Sequence, residues 1–201
     1  RGRGMSRWSE RTDVARGDDY DRRWVELEAA GESVHGEADL VESLLRDRRP
    51  DGGTVLDAGC GTGRVAVELD RRGIETVGVD LDPAMLDTAR AKPSGVTWQQ
   101  GDLARLDLGR RFDVVAAAGN VMIFLAPGTE GTVVDRLAAH LAPGGLLVAG
   151  WSRTGSLAYE HYDELCAAVG VALVHRWSTW DREAYDDGDY AVSVHRAGAG
   201  D

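Results

Sequence analysis

Hydrophobic positions along the chain switch repeatedly between two periods. In "EADLVESLLRDRRPDGG", Leu40, Val41, Leu44 and Leu45 recur at helical spacing until Pro50, Asp51 and Gly52 stop the pattern, which predicts a helix ahead of the first strand. The runs "TVLD", ending at Asp57, and "TVGVD", ending at Asp80, are nearly continuous in apolar residues, as strands buried on both faces are. Between them "TGRVAVELDRRG" sets Val65 and Leu69 one turn apart and closes on Gly73, a helix with a glycine stop. "DPAMLDTARA" then predicts a helix with Asp82 as N-cap, Pro83 in the first turn and Met85, Leu86 and Ala89 facing inward.

The alternation continues. A short strand is expected at 96–98 and a stronger one at 112–118. A helix follows, with Val133, Val134, Leu137, Ala138 and Leu141 on one stripe. Pro143, Gly144 and Gly145 are read as ending it before a strand at 146–151. After a helix near 157–169, the runs "VALVHRW" and "YAVSVHR" follow one another with only a polar link between them, which predicts a hairpin and one antiparallel strand. Strand and helix in alternation imply an α/β fold, a mostly parallel sheet with helices on both faces, because parallel neighbours need crossover connections.

Composition adds bounds. With 201 residues and 43% hydrophobic content, one domain is expected. Its expected parts are a flexible segment at 1–18 and a single domain at 19–198, made of a helical cap at 19–50, a core at 51–151 and a C-terminal helix and hairpin at 152–198. The net charge of -11 supplies no overall drive toward nucleic acid or an anionic membrane, so neither is expected as a partner. Cys60 and Cys166 stand far apart in no metal-ligand spacing, which suits a reducing cytoplasm and predicts no bound metal. No apolar run reaches the roughly 18 to 20 residues of a membrane span. Met5 follows four residues with no structural role, read as an upstream start or an added leader.

The candidate chemistry lies in "VLDAGCGTGRVAVEL", where Gly59, Gly61 and Gly63 follow the end of the first strand and run into a helix. In a parallel sheet ligands bind beyond the carboxyl ends of the strands, and glycines there let a ligand reach the backbone without meeting a β-carbon. A dinucleotide site would carry a third glycine three positions after Gly61, where this chain has Arg64. A carboxylate at Asp57 is poor company for phosphates but suits an ammonium group and a positive sulfur. Asp80 with Asp82 mimics a metal-binding DxD, without the nucleotide-sugar context that would support it.

"VLDAGCGTGR" resembles motif I of class I S-adenosylmethionine-dependent methyltransferases. The resemblance continues in order through "VGVDLDPAML", "WQQGDLARLDL", "FDVVAAAGNV" and "LAPGGLLVAG", covering roughly Asp51 to Trp151. It implies a Rossmann-like three-layer sandwich whose seven-stranded sheet runs 3-2-1-4-5-7-6 with strand 7 antiparallel, and S-adenosyl-L-methionine as cofactor with S-adenosyl-L-homocysteine as product. By resemblance, Gly59, Cys60, Gly61 and Gly63 pass under the methionine part, and Asp57 organises that loop. Asp80 accepts from both ribose hydroxyls, Leu81 and Leu103 flank the adenine, Asp102 accepts from its amino group, and Ala118, Gly119 and Asn120 line the methionyl side. Cys60 taken alone reads as a small buried filler.

The implied activity is in-line methyl transfer to a small-molecule acceptor, for which no obligatory catalytic residue is assigned. The run Asn120, Val121, Met122, Ile123 departs from the Asn/Asp-Pro-Pro-Tyr/Phe signature of amino-group methyltransferases on bases and amides, which argues against those substrates. Substrate candidates are Tyr20, Trp24 and His35 in the N-terminal part, with Glu37 close by, then Asn120, and Trp151 and His161 beyond the fifth strand, where Tyr159 and Tyr162 extend an aromatic wall. His140, His175 and His195 read as structural. Two alternatives stay open: a protein that binds the cofactor without turnover, and an NAD-dependent oxidoreductase, which the missing third glycine disfavours.

Overall fold

The computed structural model describes residues 34–153 and 157–200 together with positions 17, 19, 21, 22, 26, 29 and 30. Tyr20, Trp24 and nearly all of the segment expected to be flexible lie outside the described residues. Helix α1 (Gly36–Arg46) leads into β1 (Thr54–Ala58), α2 (Arg64–Arg71), β2 (Glu75–Asp80), α3 (Pro83–Ala91) and β3 (Thr97–Gln100). Then come β4 (Phe112–Ala117), α4 (Glu130–Ala139), β5 (Leu141–Ser152), α5 (Tyr159–Ala168), β6 (Val171–Trp177) and β7 (Tyr190–Ala197), with short 3-10 turns at Leu103–Arg105 and Val121–Phe124.

The seven strands form one sheet in the order β3-β2-β1-β4-β5-β7-β6. β1 pairs in parallel with β2 and β4, whereas β7 runs antiparallel to both β5 and β6. Because successive side chains of a strand point to opposite faces, the near-continuous apolar runs feed two cores. Val55, Val114, Ala116 and Val148 join α1 and α2 on one side, and Leu56, Val115, Ala117 and Leu147 join α4 and α5 on the other.

Two expected boundaries are corrected. Helix α4 stops at Ala139, and Pro143, Gly144 and Gly145 lie inside β5 instead of ahead of it. The ladder between β4 and β5 shifts register between Phe112 and Val114, and a bulge of this kind is where a proline without an N–H is tolerated in a sheet. The third strand spans Thr97–Gln100 rather than 96–98, at the sheet edge where few apolar side chains mark it.

Candidate active site

Strands β2, β1 and β4 lie side by side, and the chain leaves β1 and β4 toward opposite faces of the sheet, which opens a crevice at their carboxyl ends. The glycine loop fills the floor of that crevice. Its backbone is fastened to β2, with Gly59 N–H and Cys60 N–H donating to the Val79 carbonyl at 2.7 and 2.9 Å. Gly61 N–H donates to Asp80 Oδ2 at 2.7 Å, so the second strand's terminal acid also shapes the loop.

Crowding by the protein itself is part of the reason for glycine. Gly63 has φ +80°, and a methyl group there would overlap the Trp98 ring; one at Gly59 would overlap Val121. Room for a ligand is therefore only half of what the three glycines provide. Thr62, between two of them, is held from outside: its hydroxyl donates to Asp21, and its carbonyl accepts from Lys92 Nζ at 2.7 Å. Lys92 in turn pairs with Asp21.

The crevice is a cleft lined by Asp57, Gly59, Cys60, Gly61, Thr62, Arg64, Val65, Ala118 and Gly119. Asp57 is 2% exposed, and its Oδ2 meets no hydrogen-bond partner among the described residues. Burial pushes its carboxyl up to about 7, against the pull of Arg64 and the Ala66 N–H; the nearby charges of Asp80 and Glu37 add to the rise. The Cys60 thiol is driven far up by burial and by the charges of Asp57 and Asp80, which leaves it an unreactive filler.

Arg64 is anchored to the first helix. Its Nη2 meets Glu37 Oε1 at 2.5 Å, and its Nη1 donates to Glu37 Oε2 at 3.0 Å and to the Val34 carbonyl. Sequence reasoning noticed Arg64 only as the residue standing where a dinucleotide site has glycine.

Both oxygens of Asp80 are engaged by the backbone. One oxygen accepts from Gly61 and the other from Asp82 N–H at 2.8 Å, and a carboxylate with about four acceptor positions retains two after that. Burial raises its pKa, opposed by these backbone donors. Leu81 is half-buried and Leu103 is buried nearby in sequence to Asp102, whose carboxylate caps the 3-10 turn by accepting from Ala104 N–H. Asp82 caps α3, so the DxD pair has structural duties. Among the described residues, no group of three or more His, Cys, Asp or Glu gathers as a metal site.

Several expected substrate residues are not brought to the cleft. Trp151 is fully buried, donates its indole N–H to the Leu157 carbonyl and packs edge-on against Tyr159 and Tyr162, so the anticipated aromatic wall is interior core. An apolar strand residue facing α5 is buried by that helix, which the sequence pattern alone does not reveal. His161 lies on the exposed side of α5 beside Glu164. Asn120 has φ +64° and uses its side-chain carbonyl to accept from Ser152 N–H at 2.8 Å, tying the ends of β4 and β5. His35 immediately precedes α1 and is half-buried.

Over 89% of its length the chain superimposes on 96% of a TehB-like S-adenosylmethionine-dependent methyltransferase from Corynebacterium glutamicum, with TM-score 0.81 and 31% identity. The chain belongs to the S-adenosylmethionine-dependent methyltransferases. A family model described as a methyltransferase domain matches residues 55–145, the part of this methyltransferase that holds the glycine loop, Asp80 and Asn120. Among curated relatives, a Streptomyces venezuelae dTDP-3-amino-3,4,6-trideoxy-alpha-D-glucopyranose N,N-dimethyltransferase is 34% identical over 119 residues, 59% of this chain and 50% of that one. A Rhodobacter capsulatus magnesium-protoporphyrin O-methyltransferase is 36% identical over 121 residues, 53% of this chain and 54% of that one. The chain thus spans about half the length of these curated relatives. S-adenosyl-L-methionine is the cofactor of the family, and the residues present suit it. The buried Asp57 oxygen lacks a donor, as an ammonium group would supply, and Asp80 has acceptor capacity left for a diol.

Proposed function

We propose that this chain is an S-adenosylmethionine-dependent methyltransferase that methylates a small-molecule acceptor. The observation that carries the reading is the pairing of a buried, unsatisfied Asp57 oxygen with a second acid, Asp80, across one glycine loop. Buried polar atoms are almost always hydrogen-bonded, so an orphan lining a cleft marks the place of a ligand donor. Asp57 binds the ammonium end, the backbone of Gly59, Cys60, Gly61 and Gly63 supports the methionyl chain, and Asp80 accepts from the ribose hydroxyls. Leu81 and Leu103 flank the adenine, Asp102 accepts from its amino group, and Ala118 and Gly119 with the Asn120 backbone close the methionyl side.

The cofactor, when bound, supplies a methyl group already activated by its positive sulfur. The chain's part is then to hold the acceptor in line and exclude water, so no residue is assigned as a general base. The acceptor enters beyond β4 and β5, where Gly119 faces open space on its Cβ side. Relatives that methylate an amino sugar and a porphyrin support a small acceptor, and the net charge of -11 argues against nucleic acid. No helix among the described residues is long and apolar enough to cross a membrane, and two free buried cysteines suit the cytoplasm, which completes the proposal.

The test combines calorimetry with S-adenosylhomocysteine and a transfer assay with methyl-labelled cofactor across small amines, alcohols, thiols and acids. Binding with transfer to at least one small acceptor is the expected result. No binding of either cofactor form sinks the reading, and binding with no transfer to any acceptor leaves the non-catalytic alternative in its place.

A further inference from the structure

The proposed cofactor contacts give no task to the Arg64–Glu37 pair, although it borders the same cleft. Each partner has only 14% of its side chain exposed, and the pair bridges α1 to the first residue of α2. A guanidinium and a carboxylate buried close together ordinarily pair, because either one left alone in a poorly hydrated site is costly. Arg64 is close enough to Asp57 for its charge to be felt there. Yet Asp57 Oδ2 takes no hydrogen bond from Arg64 or from any other donor among the described residues. On the other side of Arg64, Glu37 binds both terminal nitrogens and the Val34 carbonyl accepts from Nη1.

We infer that Glu37 is a positioning residue for ligand selectivity: by engaging Arg64 it keeps the guanidinium from closing on Asp57, and so reserves the buried Asp57 oxygen for a primary ammonium on the ligand. The inference rests on the cofactor-site reading above. It names what makes the cleft choose an amino-acid-bearing adenosyl thioether over the same nucleoside without the amine. Among the described residues, the charged groups that act most strongly on Asp57 are Arg64 from α2, Asp80 from β2 and Glu37 from α1, with the Ala66 N–H as a fixed donor. Arg64 is the cation among them, and Glu37 neutralises it. The pocket thus keeps an excess of negative charge that an ammonium can balance. Without Glu37, Arg64 supplies that balance internally, and an incoming ammonium must compete with it.

The test compares wild type, Glu37→Gln and the double variant Glu37→Gln with Arg64→Met by calorimetry. The two probes are S-adenosylhomocysteine and its deamino analogue, in which hydrogen replaces the α-amino group. Wild type is expected to prefer the amine-bearing ligand by about tenfold, equivalent to about 1.4 kcal/mol. Glu37→Gln should lose most of that preference with the deamino affinity nearly unchanged, and the double variant, lacking the competing cation, should recover it. Thermal melts confirm that each variant is folded. Equal weakening of both ligands in Glu37→Gln, an unchanged preference, or no recovery in the double variant overturns the positioning role while leaving the site reading intact. Failure of wild type to bind either probe overturns the site reading and this inference with it.

Discussion

Asp80 and Gly61 are joined by a hydrogen bond of 2.7 Å, backbone N–H to Oδ2, which ties the end of β2 to the middle of the loop after β1. The same carboxylate therefore shapes the loop and, in the proposed site, grips the ribose. Asp80→Ala should weaken S-adenosylhomocysteine by tenfold or more, since hydrogen bonds to charged groups contribute about 1.5 to 3 kcal/mol each. Calorimetry and far-UV circular dichroism on one preparation check this. Intact affinity in a folded variant removes the ribose assignment.

Asp57 carries a stability cost whose sign can be worked out. Its folded pKa of about 7 exceeds the ordinary value of 3.8, so between those values the folded chain holds a proton that the unfolded chain has shed. Stability therefore falls as pH rises through that window, and the full deficit is present above it. Asparagine keeps an acceptor for the Ala66 N–H and carries no charge at any pH. Asp57→Asn should melt a few degrees higher than wild type at about pH 8, with the gap closing toward pH 4. The same variant should bind S-adenosylhomocysteine more weakly, trading affinity for stability.

Gly63 meets two obstacles to substitution, its left-handed φ of +80° and the Trp98 ring. Gly63→Ala should cost about 1 to 3 kcal/mol in urea unfolding. Adding Trp98→Leu should return only part of the loss, because shrinking the ring relieves the overlap and leaves the backbone strain. Complete rescue would mean that the strain is negligible.

Asp163 on α5 accepts from Arg176 Nη2 at 2.7 Å and contacts the fully buried His195 Nε2 at 2.8 Å. Burial holds the His195 pKa down, with Asp163 pulling the other way. Asp163→Asn should destabilise the fold by about 1 to 3 kcal/mol through under-satisfied buried partners. It should leave S-adenosylhomocysteine affinity unchanged, since none of these groups lines the cleft. A marked loss of affinity would reveal coupling across the sheet.

Much of the architecture is legible in the sequence. The double-buried runs ending at Asp57 and Asp80, the stripe through Met85, Leu86 and Ala89, and the closing hairpin each became the expected element. The strand expected at 146–151 is present, but its start five residues earlier is not legible, because the register shift that admits Pro143 depends on the partner, Phe112. Trp151 was misplaced for a related reason. An aromatic at a strand's carboxyl end faces a cavity or a covering helix according to what packs there, and here α5 covers it.

Local patterns in the sequence determined which residues form strands, which helices carry caps, and that three glycines and two acids meet at the carboxyl ends of parallel strands. Those features depend on spacing along the chain, where period, sterics and capping act over a few residues. Tertiary structure alone decided that Glu37, twenty positions before Asp57, would take Arg64 away from it, that Trp98 would close over Gly63, and that Asp57 would be left with an unmatched oxygen. Charge pairing and burial depend on distances across the fold, and no periodicity in the chain encodes which of two acids a single arginine will meet.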